Sequence, residues 1–101
     1  MLIYNTTFLV ATPLVEIWKQ WAATELLHFM QADKRMTEGQ IARVVSHENE
    51  TEGVSFSVQF KIADMPTLHA WHADNANSFQ SLCNKRFGQQ VVFFSTILEI
   101  I

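Results

Sequence analysis

From Val54 to Ile62 the chain alternates without a break. Val54, Phe56, Val58, Phe60 and Ile62 fall on one side, and Ser55, Ser57, Gln59 and Lys61 on the other. Successive side chains of a strand point to opposite faces, so a period of two specifies a half-buried β-strand. A helix would instead repeat its apolar positions every three or four residues. Such a strand needs a sheet around it and a second layer over its apolar face, and it leaves a polar face turned away. The chain must therefore fold as a sheet covered on one side.

The remaining segments supply the parts. Leu2–Val10 is rich in β-branched and aromatic residues and reads as a strand. Thr12-Pro13 marks a helix start, with Thr12 as the capping group. Leu14, Trp18, Trp21, Ala22, Leu26 and Phe29 then recur at helical spacing, which predicts a helix over 13 to about 31. A strand is expected over 37–47, and the polar run 48–53, ending in Gly53, reads as a hairpin turn into the alternating strand. Asp64 can cap a second helix with Pro66 in its first turn, and Gly88 ends it. The last strand, 90–100, is apolar on both faces.

The order β-α-β-β-α-β predicts an α+β, ferredoxin-like fold. It is a four-stranded antiparallel sheet with two helices on one face. The second face then carries Ser55, Ser57 and Gln59 beside the apolar last strand. This surface is the reason to expect a homodimer paired through the sheet.

Composition bounds what such a domain can do. The 101 residues fit a single domain, and seven Lys/Arg against ten Asp/Glu give a net charge of -3. That balance argues against nucleic acid as a partner, which calls for a basic surface. No apolar run approaches the roughly 20 residues of a spanning helix, so no membrane is expected as a partner. The amino-terminal Met1-Leu2-Ile3-Tyr4-Asn5 has no basic region, so a signal peptide is not expected. One cysteine, Cys83, admits neither an internal disulfide nor a cysteine zinc site, which fits a cytoplasmic location.

The residues resemble a known family. Ile3-Tyr4-Asn5-Thr6-Thr7 looks like its first strand. Trp18, Trp21 and Glu25-Leu26-Leu27-His28 look like its first helix, and the stretch from Gly53 to Phe60 like its third strand. The most specific match is Lys85-Arg86-Phe87-Gly88 followed by Val92-Phe93-Phe94-Ser95-Thr96-Ile97-Leu98-Glu99. This resembles an uncharacterised bacterial family, a domain of unknown function, of chains about this length in the dimeric α/β-barrel superfamily. It implies a ferredoxin-like subunit pairing as a dimeric α/β barrel, with no established activity. Leu82-Cys83 departs from the family, which commonly has Glu-His there.

Candidate chemistry is sparse. Asn5, Gln59 and Ser57 should share the second sheet face and orient a small ligand by hydrogen bonds, or satisfy one another inside an interface. His28, near the end of the first helix, is a candidate ligand anchor. Arg86 and Arg43 can hold a carboxylate or phosphate, or form ion pairs at a dimer rim with acids such as Glu38 or Glu99. The candidate ligand set is thus Asn5, His28, Gln59 and Arg86.

An alternative function is a small oxygenase of the haem-degrading or cofactor-independent type. It would use Asn5, Trp71 and His72 in a pocket between sheet and helices, although adjacent helical residues point about 100° apart. His69 and His72 stand three apart, but no carboxylate one turn away completes a metal set, so neither metal nor cofactor is expected. Gly-rich phosphate loops, serine elbows and His-Glu-x-x-His patterns are missing from the sequence. The expected function is a cytoplasmic homodimer that binds a small molecule or serves a structural role.

Overall fold

A computed structural model describes residues 1–45 and 53–101. The expected hairpin turn at 48–53 lies outside the described residues apart from Gly53, as do positions 46 and 47 of the expected second strand. Strands β1 (Leu2–Val10), β2 (Thr37–Arg43), β3 (Val54–Ile62) and β4 (Val91–Glu99) form one antiparallel sheet in the order β2-β3-β1-β4. The helical layer comprises α1 (Val15–Trp21), α2 (Leu27–Gln31) and α3 (Met65–Phe87).

The first helical segment is continuous but not uniform. A 3₁₀ turn, Thr12–Leu14, leads into α1, and a π-helical turn, Ala22–Leu26, joins α1 to α2. Thr12 lies inside the opening turn, and Ala11 holds the capping position that the sequence assigns to Thr12. Thr24 in the π turn donates its hydroxyl to the Gln20 carbonyl at 2.8 Å, the back-bonding that competes with regular helix. Asp64 caps α3 as expected, accepting from the Thr67 backbone N–H at 2.9 Å. Gly88, at φ 59°, closes it.

Alternation sets the core. The even residues of β1 and β3 are buried under the helices, against Trp18, Trp21, Leu26, Leu68, Trp71 and Phe79. Trp18 stacks on Phe56 at 4.6 Å between ring centres, and Trp71 tilts against Tyr4 at 5.4 Å. Each such aromatic pair adds about 0.5–1.5 kcal/mol beyond its area burial. The buried polar side chain, Thr6, is satisfied by Ser95 at 3.0 Å.

The barrel expectation is corrected. The sheet is open, with β2 at one edge and β4 at the other, and it does not curl or close. The physical reason is that β2 and β4 end the sheet at two edges that do not pair with each other, while the helices cover one face. The layered ferredoxin-like architecture stands and the barrel does not.

Candidate functional site

Two regions gather the polar candidates, and they lie on opposite sides of the sheet. The first is the open face. Register places Asn5 opposite Gln59 and Thr7 opposite Ser57 at the centre of the sheet. Because β1 and β3 bury their even residues, these four side chains must share the other face, where each is half-buried. They form one hydrogen-bonded row. Gln59 Nε2 donates to Ser57 Oγ at 3.1 Å, Ser57 Oγ donates to Asn5 Oδ1, and Asn5 Nδ2 donates to Thr7 Oγ1 at 3.1 Å.

An apolar margin flanks this row. On β4, Phe94 pairs with Thr7, Leu98 with Ile3 and Val92 with Leu9. Phe94 is 63% exposed, and Leu9, Val92 and Leu98 are exposed as well. The opposite margin is polar: Lys61 approaches Glu38 at 3.4 Å, where β2 carries a bulge between Thr37 and Gln40.

The second region lies on the helical side. A hollow of about 640 Å³ is lined by Glu25, His28, Phe29, Asp33, Asn75 and Leu82, among others. Arg35 holds its floor in place. It binds Asp33 at 2.7 Å and Asp74 at 3.0 Å, tying the end of α2 to α3. Arg35 also holds the Asp33 carboxyl down to about 2. Asn75 Nδ2 reaches Asp33 at 3.4 Å and the Trp71 carbonyl at 3.0 Å. Sequence reasoning missed this cluster, because Asp33 and Arg35 lie about forty residues from Asp74 and Asn75 in the chain. A neighbouring hollow of about 490 Å³ contains Arg86 with Gln20, Thr24 and Glu25. The Arg86 guanidinium lies 5.8 Å from the Phe87 ring centre.

The candidate set thus divides. Asn5 and Gln59 come together, whereas His28 and Arg86 lie across the sheet from them in two hollows that share Glu25. The oxygenase trio is not assembled. Asn5 faces the open side, Trp71 is buried beneath Tyr4, and His72 is exposed on α3. Among the described residues no group of three His, Cys, Asp or Glu side chains is placed to hold a metal. Cys83 is buried, and burial pushes its thiol up to about 12, far from a reactive thiolate.

These features define a class: a ferredoxin-like α+β domain with one covered and one open sheet face. The chain belongs to the family described as Domain of unknown function (DUF4286), whose model matches residues 1–101. Two solved structures share the fold. One is described as a "putative antibiotic biosynthesis monooxygenase" from Deinococcus radiodurans. It has a TM-score of 0.65 and 14% identity, with 100% of this chain and 93% of that chain covered. The other is a dimeric ferredoxin-like protein from an uncultured marine organism. It has a TM-score of 0.58 and 12% identity, with 99% and 95% covered. Identities this low carry the fold alone. A comparison with curated proteins gives no match.

Proposed function

We propose that the chain works as a single-domain, non-catalytic homodimer whose two open sheet faces cover each other. The observation that carries this is the exposed apolar margin of Phe94, Val92, Leu98 and Leu9 directly beside a hydrogen-bonded amide and hydroxyl row. Monomers rarely leave such a patch wet. The face also has the required size. Three nine-residue strands and one of seven, at about 3.3 Å per residue and about 4.8 Å apart, project about 540 Å² before side-chain relief is added. That is on the scale of the about 800 Å² per partner in a standard interface. The marine neighbour's description as dimeric supports the same assembly. A buried, sole cysteine fits a reducing, cytoplasmic setting. Native mass spectrometry and sedimentation should give a dimer; a monomer at high micromolar concentration refutes it.

A second reading adds a ligand. The hollow beside His28 is of a size that holds small molecules, and it combines Phe29 and Leu82 with His28 and Glu25. A small mass retained through purification, and lost in His28→Ala, supports this; an empty dimer counts against it. The monooxygenase description of the other neighbour finds no assembled counterpart in Asn5, Trp71 and His72.

A further inference from the structure

The polar row on the open face has a direction. Each member donates to the next: Gln59 to Ser57, Ser57 to Asn5, Asn5 to Thr7. A hydroxyl has one proton to give, so Ser57, by giving it to Asn5, accepts only from Gln59. The row therefore begins at an acceptor, Gln59 Oε1, and ends at a donor, the Thr7 hydroxyl proton. Among the described residues neither end is taken. The two ends stand at opposite corners of one patch, since Asn5 pairs with Gln59 and Thr7 with Ser57.

We propose that a second copy of this chain completes the row: Thr7 donates to Gln59 of the partner subunit, and the partner's Thr7 donates to Gln59. The inference rests on the dimer proposed above and specifies how its faces are aligned. A two-fold interface must be self-complementary. A directed row with an acceptor at one corner and a donor at the opposite corner meets that condition in one orientation. The two-fold axis must run perpendicular to the diagonal from Gln59 to Thr7. With strands about 4.8 Å apart and alternate residues about 6.8 Å apart, that axis makes the strands of the two sheets cross at roughly 70°. This lies nearer the orthogonal class of sheet packing than the aligned one. The same rotation brings Phe94, one strand over from Thr7, above the row of Lys61 and Ile3 of the partner subunit, nearer the Lys61 side.

Linear extension of the row also explains why the face is polar at its centre. A donor stranded inside an apolar interface is destabilising, so misaligned dimers are penalised and the aligned one is selected. The row specifies geometry, while the apolar margin supplies attraction.

Dimer dissociation constants measured by sedimentation for wild type, Thr7→Val, Gln59→Leu and the double variant test this. Each single variant breaks the two symmetry-related bonds across the interface, and with them one bond inside each row, and should weaken the dimer by at least about thirty-fold. The double variant should lose less than the product of the two single losses, because both substitutions break the same two cross-interface bonds, although each also removes one bond of its own within the row. Thr7→Ser keeps the hydroxyl and should keep wild-type affinity, and circular dichroism checks that every variant folds. Multiplying losses, or unchanged affinity in both single variants, would overturn the pairing while leaving the dimer intact. A monomeric wild type would overturn the dimer and the pairing together.

Discussion

Phe94→Ala gives the most direct measure of how much the apolar margin contributes to assembly. Phe94 is 63% exposed in the single chain, on the open face opposite Thr7. A phenylalanine side chain has about 200 Å² to bury, which leaves about 125 Å² for a partner to cover. At about 25 cal/mol per Å², full cover contributes about 3 kcal/mol. Alanine retains Cβ and cover at a margin is incomplete, so about 2 kcal/mol per protomer is the working magnitude. Two protomers lose about 4 kcal/mol, or roughly a thousand-fold in dissociation constant. The fold itself should hardly respond, because the side chain contributes little to the monomer core. Its unfolding free energy, measured on the monomeric variant, should move by less than about 0.5 kcal/mol. Sedimentation velocity over a concentration series reads the first quantity and urea denaturation the second. A dissociation constant within three-fold of wild type would refute the assignment of this margin to the interface. A large loss of monomer stability would refute the claim that Phe94 stands outside the core.

Three further outcomes are expected. Gly39→Ala should destabilise by about 1–3 kcal/mol in urea melts, since its Cβ would stand 2.5 Å from Phe60 Cε1 and the buried ring has nowhere to go. Cys83 should resist alkylation at pH 8 in the native state and react on unfolding. With its folded thiol up to about 12 against an ordinary 9, the unfolded state binds fewer protons between those values, so stability falls as pH rises through that window. Asp33 runs the opposite way. Its carboxyl is down to about 2 against an ordinary 3.8, so its contribution is present above pH 4 and lost as pH falls towards 2. Asp33→Asn should flatten that part of the acid limb in thermal melts.

Much of the fold was legible because alternation is a local signal. Val54 to Ile62 declares two faces by itself, and the buried even residues follow from it. Asp64 and Gly88 bounded α3, the first by its capping carboxylate and the second by the backbone freedom that a positive φ needs. The first helix was less legible, since its π turn depends on how Ala22 and Leu26 seat in the core, and Thr12 proved to lie within a turn. The barrel was an inheritance from resemblance, and no spacing within one chain encodes sheet closure.

For the candidate site the division is similar. The sequence by itself determined which residues share a face, because the pleat sorts odd from even: Asn5, Thr7, Ser57 and Gln59 had to point together once both strands existed. Only the tertiary structure decided that Asn5 stands opposite Gln59, that the four side chains form a single directed row, and that His28 and Arg86 lie on the far side of the sheet. Register and layering depend on contacts between segments some fifty residues apart. Those contacts are fixed by the collective burial of Trp18, Trp71 and Phe60, and no local pattern contains them.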